Sequence, residues 1–149
     1  MTAAEKLALF ACGIFFLSGL LTGIWKYLLM ARSRDHQAPY YVNVAHRASL
    51  LYSFGALVML KFLEFSPYSE TVNTLAVAFP ILFFGLAILK YIMHGISGDT
   101  DNQFKPPYRL GWFRLAPWVF HLLVWLLIIS EVGGFLVLFA GFVSTQLLR

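Results

Sequence analysis

Charged residues are scarce in this chain of 149 residues: Asp, Glu, Lys and Arg together make up 12% of it. A soluble globular domain has roughly a quarter charged residues, so this chain cannot cover a water-facing surface with polar groups. Cysteine is almost absent as well, and the single Cys12 excludes an internal disulfide and a metal site made of several cysteines. Hydrophobic residues make up 60% of the chain. This composition predicts an integral membrane protein.

Four apolar stretches divide the sequence, and each reaches the roughly 20 residues that a membrane-spanning helix needs. They predict an all-α integral membrane fold: one domain, residues 1–149, forming a bundle of four transmembrane helices. The predicted spans are residues 7–30, 44–63, 72–94 and 115–148. We expect Pro80 to kink the third span, because proline removes a backbone donor. The fourth span is the longest, and Gly133 and Gly134 are the expected place for a bend.

Four crossings place both termini and the short 64–71 connection on one side, and the two longer loops on the other. Basic residues are more numerous on the long-loop side, where they are Arg32, Arg34, Arg47, Lys90, Lys105, Arg109 and Arg114. The terminal side has Lys6, Lys61 and Arg149. Since cytoplasmic loops are enriched in Lys and Arg, we predict cytoplasmic long loops and outward termini. The net charge of +4 then reflects orientation in a bacterial-type inner (cytoplasmic) membrane, and we expect no nucleic-acid partner.

His46 lies near the start of the second span, where a titratable side chain is costly and often functional. Three interpretations stay open. The first is an interfacial histidine bonded to backbone or to a lipid headgroup. The second is a zinc or iron site with Asp99 and Asp101, although no two histidines have the helical spacing of a metal pair. The third is a single axial ligand to haem, which needs one histidine and an apolar slot.

Three other polar residues allow a structural and a functional interpretation. Arg47 either anchors the helix at the membrane surface or pairs with a haem propionate or a phosphate. Tyr91 either belongs to an aromatic belt or donates a hydrogen bond to a bound ligand. Glu131, deep in the fourth span, is a proton site, a partner for a neighbouring subunit, or a neutral hydrogen-bonded acid. The small residues of the first span, Gly19 and Gly23 among them, favour close helix contact within the bundle or between subunits.

Several short motifs follow one another in a recognisable order. Residues 16–23 read Phe-Leu-Ser-Gly-Leu-Leu-Thr-Gly, and residues 44–48 read Val-Ala-His-Arg-Ala. Tyr91 then stands near the end of the third span, Asn-Gln-Phe occupies residues 102–104, and Leu-Ala-Pro occupies residues 115–117. In this layout the chain resembles the styrene oxide isomerases and the hydroxylaminobenzene mutases, which are small four-span membrane proteins.

The resemblance to the isomerases implies a homotrimer in the lipid bilayer that binds haem b, with His46 as the axial ligand of the iron. It implies an isomerase that rearranges a small apolar, aromatic epoxide to a carbonyl compound, with ferric haem as a Lewis acid. Tyr91 would assist the substrate, and with it Tyr52 and Asn102 are the predicted catalytic residues. The predicted cofactor-binding residues are His46, Arg47 and Gln103.

The chain departs from both families at one point. They have an asparagine followed by a glycine six and seven residues after the histidine, where this chain has Tyr52 and Ser53. If the asparagine holds the substrate oxygen, the substrate differs here while the haem ligand is unchanged. Three alternatives stay open: an aryl hydroxylamine mutase of the same superfamily, a structural membrane subunit without cofactor, and a haem electron-transfer or sensor protein. The last would use His94 or His121 as a second axial ligand.

Overall fold

A computed structural model describes residues 1–148 and confirms an all-helical architecture with four long helices. In chain order they are α1 (Ala3–Arg32), α2 (Tyr40–Leu63), α3 (Glu70–Ser97) and α4 (Pro117–Gln146). The loop before α4 contains a small antiparallel hairpin that the apolar pattern did not predict, β1 (Arg109–Leu110) paired with β2 (Phe113–Arg114). Arg149, one of the basic residues assigned to the terminal side, lies outside the described residues.

Three of the helices, α1, α3 and α4, are long and apolar enough to cross a membrane. The protein is therefore membrane-embedded. The helix α2 has 24 residues, which corresponds to about 36 Å of helix and is sufficient for a crossing. It is more polar than the others because its first two turns contain Asn43, His46 and Arg47. A crossing by α2 stays a prediction.

Two helices extend beyond the apolar runs from which their spans were predicted and are ended by local capping. The helix α2 also begins four residues before its predicted span, after Pro39 and without a side-chain cap. The helix α1 begins four residues before its predicted span because Thr2 and Glu5 form a reciprocal capping box, each side chain accepting the other's backbone N–H. The helix α3 continues three residues past its predicted end. It stops at Gly98, whose φ of 59° lies in the left-handed region that glycine adopts without a steric penalty.

The helices pack in a fixed order around a core of small and branched side chains. The helix α1 lies along α2 and also contacts α3. The helix α4 packs mainly on α3, and among the described residues none of its Cα atoms lies within 8 Å of one in α1. Alanines line the α1–α2 contact, and Val77 and Leu138 bring α3 and α4 into the same core. A side chain on α2 can therefore face either α1 or the α3–α4 pair.

Gly134 lies where α4 approaches α3 closely. A Cβ atom on Gly134 would meet the carbonyl oxygen of Ala76 and would lie 2.5 Å from Cγ of Pro80. The neighbouring Gly133 has no atom within 4 Å of its Cβ position. The helix α4 is unbroken through both glycines. The role that the structure gives to this pair is therefore close packing, through Gly134 alone, against the proline of α3.

Contacts at the two ends of the bundle confirm the predicted up-and-down order. At one end, Glu70 accepts the Ala3 N–H at 2.9 Å, and the Thr145 hydroxyl donates to the Phe65 carbonyl at 3.0 Å. The start of α1 and the end of α4 therefore lie beside the α2–α3 connection. At the other end, hereafter the loop end, lie the connections 33–39 and 98–116 with the hairpin β1–β2. The predicted site residues lie toward this end.

Candidate functional site

His46 lies on the side of α2 that faces α1, and one ring nitrogen is held there. Its Nδ1 is 2.8 Å from the Gly19 carbonyl oxygen. A carbonyl can only accept, so Nδ1 carries the proton, and in the neutral ring Nε2 presents its lone pair. The half-buried ring leaves Nε2 without a hydrogen-bond partner among the described residues, and that atom is not enclosed. A histidine fixed through Nδ1–H to a backbone carbonyl, with Nε2 open, is arranged as a metal ligand usually is.

Gly23 makes the space for this ring. A Cβ atom on Gly23 would lie 2.9 Å from His46 Cε1 and 3.1 Å from Nδ1. The Thr22 hydroxyl donates to the same Gly19 carbonyl at 3.1 Å and to the Ser18 carbonyl at 2.7 Å. The motif of residues 16–23 therefore supplies both the ring's hydrogen-bond acceptor, at Gly19, and its clearance, at Gly23. For Gly19 and Gly23, the prediction of close helix contact within the bundle is confirmed.

A cavity of about 300 Å³ lies at the loop end, bounded by α3, α4 and the loop between them. The side chains of Lys90, Tyr91 and Gln103 form the polar part of its wall. The rest of the wall is apolar and includes Phe83, Leu86, Phe104, Phe120 and Leu123. Two residues predicted from the sequence, Tyr91 and Gln103, are thus brought together.

Tyr52 belongs to the same side of the molecule as this cavity. Its ring stacks on Phe84 with the ring centres 4.2 Å apart, and its phenol lies next to that of Tyr91. On α2, Tyr52 follows His46 by six residues, which turns the two side chains about 120° apart around the helix axis. Among the described residues that line the cavity, neither His46 nor the exposed Arg47 is included. In one chain, the predicted haem ligand and the predicted catalytic tyrosines therefore face different neighbours.

Asn102 shapes the loop beside the cavity. Its Oδ1 accepts the Phe104 N–H at 2.9 Å, and its own N–H donates to the Thr100 hydroxyl at 3.0 Å. These bonds hold a turn just before and after Gln103, whose side chain lines the cavity. In the structure, Asn102 therefore orders the loop segment that contributes Gln103 to the cavity wall. Its catalytic role stays a prediction.

Among the ion pairs between side chains of the described residues, His94 with Asp99 is the most enclosed. The sequence alone does not predict this pair. His94 Nδ1 lies 2.8 Å from Asp99 Oδ1, and the two side chains are 0% and 5% exposed. The Ser97 hydroxyl donates to the same carboxylate oxygen at 2.9 Å. A carboxylate five residues after a histidine, just beyond the glycine that ends a helix, is a local spacing that could have revealed this pair.

Tyr41 connects the His94–Asp99 pair to the cavity wall. Its ring packs on the His94 ring with centres 4.7 Å apart, and it stacks on Tyr91 at 6.1 Å. Its hydroxyl accepts the backbone N–H of Gln103 at 2.6 Å. The start of α2, the end of α3 and the loop are therefore held as one unit behind Tyr91 and Gln103.

Neither candidate for a second axial ligand is placed opposite His46. His94 Nε2 is enclosed by protein, which leaves no room for a porphyrin beside it. His121 is exposed on α4, with Nε2 3.4 Å from the Tyr108 hydroxyl. Within the part of the chain that the structure describes, no Cα atom of α4 lies within 8 Å of one in α1. The two-histidine alternative therefore gains no support from a single chain.

The interpretation with several metal ligands gains no support either. The Asp101 side chain is 79% exposed and lies 3.8 Å from Lys105, while Asp99 is committed to His94. Over residues 1–148, no group of three His, Cys, Asp or Glu side chains is placed to hold a metal ion.

Asp99 should make stability depend on pH. Burial raises the pKa of Asp99, but hydrogen bonds from His94 and Ser97 outweigh this and hold the pKa below the usual 3.8. The carboxylate's contribution is therefore complete above the pKa of the unfolded chain and is lost as pH falls through the lower folded value. We expect Asp99→Ala to cost about 2–3 kcal/mol, because it leaves His94 buried without its partner. Asp101→Ala, at an exposed position, is the matched control.

The measurement is the unfolding temperature of the detergent-solubilised protein near pH 7 and below pH 4. Asp99→Ala should lower it by roughly 5–10 °C near neutral pH. It should also remove much of the decrease that the unmodified protein shows in acid. Equal unfolding temperatures for the Asp99 and Asp101 variants would contradict a stabilising role for the pair.

No protein-family model, curated protein or solved structure matches this chain.

Proposed function

We propose that this protein is a haem-dependent membrane isomerase in which His46 is the axial ligand of haem b. The observation that carries the proposal is the hydrogen bond from His46 Nδ1 to the Gly19 carbonyl, which leaves Nε2 open for iron. The motif order in residues 16–23 and 44–48 supports it, since those two motifs meet in this contact.

The residues around His46 fit a haem in their chemistry. Leu20 and Ile24, both within one turn of Gly23 on α1, are 49% and 59% exposed, so this part of α1 has an apolar surface. Arg47 is exposed beside His46 and is the residue we assign to a propionate. When bound with a single protein ligand, ferric haem supplies a Lewis acid to an oxygen-bearing substrate.

The proposed substrate is a small apolar, aromatic epoxide. In the reaction one C–O bond of the epoxide breaks, a hydride moves to the neighbouring carbon and a carbonyl forms, with no water and no net redox change. Tyr91 donates a hydrogen bond to the substrate oxygen as negative charge develops on it. The apolar wall of the cavity excludes water, which favours rearrangement over hydrolysis. Tyr52 stands where the two families have asparagine, and Gln103 adds an amide to the polar wall.

The resemblance implies a homotrimer, and the separation of His46 and Tyr91 supports a site that is shared between subunits. Because the two side chains face different neighbours within one chain, we propose that a second subunit brings the cavity of one chain to the histidine of another. The helix α4 has the exposed surface that such an assembly needs: Trp118 and Trp125 are 69% and 61% exposed. We place the loop end in the cytoplasm of a bacterial-type cell, since most of the basic residues lie there.

The test is an absorption spectrum of the detergent-purified protein produced with haem available. We expect a Soret band from a haem with one protein ligand. His46→Ala should abolish it because iron loses its axial nitrogen. His36→Ala, an exposed loop histidine, should leave it unchanged. No Soret band, or an unaltered band in His46→Ala, would refute the haem proposal.

Turnover separates the enzyme alternatives. Conversion of styrene oxide to phenylacetaldehyde that is lost in Tyr91→Phe would support the isomerase. Conversion of phenylhydroxylamine to aminophenol alone would assign the protein to the mutases instead. A six-coordinate, low-spin spectrum without turnover of either substrate would favour electron transfer or sensing.

A further inference from the structure

Lys90 is the one charged residue among the described residues that line the loop-end cavity. Its side chain is half-buried, and Nζ lies 5.1 Å from the centre of the Tyr91 ring. None of the ion pairs formed by residues 1–148 includes it. A partly desolvated ammonium in a largely apolar cavity has lost hydration without gaining an opposite charge, and a bound anion would compensate for that loss.

The protein itself does not supply that anion. Glu131 lies on α4 toward Tyr52 and Tyr91, but it forms no ion pair with Lys90 and does not line the cavity. The hairpin that closes the cavity contributes Leu110 and has Arg109 and Arg114 paired beside it. Of the acidic residues in the loop, Asp99 is bonded to His94, and Asp101 is exposed and lies 3.8 Å from Lys105. The electrostatic character of this part of the loop end favours an acidic ligand.

We propose that this cavity binds an apolar molecule with a single carboxylate. The carboxylate lies at Lys90 Nζ, with the amide of Gln103 and the phenol of Tyr91 as further donors. The apolar part lies between the aromatic side chains of α3, the loop and α4. At about 300 Å³, the cavity is at the small end of ligand sites, which favours one ring or one short chain over a two-chain phospholipid.

The ligand has a route from the bilayer. Leu86 and Leu123, on opposite walls of the cavity, are 47% and 44% exposed, so the gap between α3 and α4 opens on surface of apolar character. Through this gap between α3 and α4, the apolar part of an amphiphile can enter from the membrane while its carboxylate stays near the loop end. The inference deepens the proposed function, because it narrows the proposed substrate to an aromatic epoxide that also has a carboxylate. The claim that the ligand is a substrate rests on that function. The binding itself does not require haem.

The experiment is photo-crosslinking of the His46→Ala protein in phosphatidylcholine nanodiscs, so that the haem proposal cannot affect the result. The probes are a diazirine-bearing decanoic acid and the decanol of the same structure. We expect the acid to label peptides of α3, the loop and α4 at the loop end. In Lys90→Met the labelling by the acid should fall about tenfold, because one charge-assisted hydrogen bond to the carboxylate is lost. The alcohol should label weakly and equally in both proteins.

Two variants and one lipid complete the test. Lys105→Met removes an exposed lysine from the loop beside the cavity and should not change labelling by the acid. Lys90→Arg keeps the positive charge and should retain most of it, which also covers the case of a Lys90→Met protein that does not fold. Phosphatidylglycerol in the nanodisc should not compete. Equal labelling by acid and alcohol, no effect of Lys90→Met, or full competition by phosphatidylglycerol would each overturn the proposal.

Discussion

Gly134→Leu is expected to destabilise the protein by about 3 kcal/mol, near the upper end of the usual cost of overpacking. The reason is the nature of the atoms that the new side chain meets. The nearest is the backbone carbonyl oxygen of Ala76, and the next belong to the ring of Pro80. Neither can rotate away as the end of a flexible side chain could. The helices α3 and α4 would have to separate, and the cavity between them would open.

Gly133→Leu is the matched control, because the Cβ position of Gly133 has no atom within 4 Å. Both variants add the same side chain to the same helix and gain similar helix propensity. The measurement is the unfolding temperature in detergent, where we expect a decrease of roughly 6–12 °C for Gly134→Leu and little change for Gly133→Leu. Similar decreases for the two variants would show that the close α3–α4 contact is absent.

Gly23→Leu is expected to lower haem binding at least about tenfold, the usual cost of disturbing a residue that orients a metal ligand. A Cβ on Gly23 would lie 2.9 Å from the His46 ring. The ring would have to turn, and the 2.8 Å bond from Nδ1 to the Gly19 carbonyl would break. The histidine would remain in the chain, but its ring would lose the orientation that the hydrogen bond to the Gly19 carbonyl gives it, and Nε2 would point elsewhere.

Gly13→Leu is the control for this variant, since it lies on the same helix and nothing is within 4 Å of its Cβ position. The measurements are the Soret absorbance per protein at increasing haem concentration and the unfolding temperature without haem. We expect Gly13→Leu to match the unmodified protein in both. Unimpaired haem binding by Gly23→Leu would mean that the Gly19–His46 contact does not orient the ligand.

The apolar run lengths predicted the number and type of the long elements correctly. Capping explains two of the boundaries that they missed, the start of α1 and the end of α3. Thr2 sets the start of α1 through local hydrogen bonds, and Gly98 sets the end of α3 through its backbone conformation. A hydropathy window detects neither. The hairpin β1–β2 was missed for a related reason. Two paired residues on each strand are too few to produce an alternating pattern.

The candidate site was predicted residue by residue and not as an arrangement. His46 was identified because an imidazole is conspicuous in an apolar helix. Its hydrogen-bond acceptor lies 27 residues earlier, on another helix, and no local spacing connects the two. The His94–Asp99 pair is local, but the sequence alone indicates the two residues only as possible metal ligands and does not predict their hydrogen bond. The separation of His46 from Tyr91 depends on helix packing, which the spacing of motifs along the chain does not encode.

Composition and segment length settle that the chain enters a membrane as helices, because a backbone in lipid must satisfy its own hydrogen bonds whatever lies beside it. Which residues share a cavity was settled only when the helices packed. The small side chains of α1 let α2 approach and turned His46 toward them. Gly134 let α4 approach Pro80, so that Lys90, Tyr91 and Gln103 came to line a different space. Spacing along the sequence determines the angle at which a side chain leaves its helix. Which neighbour that side chain faces depends on how the helices pack.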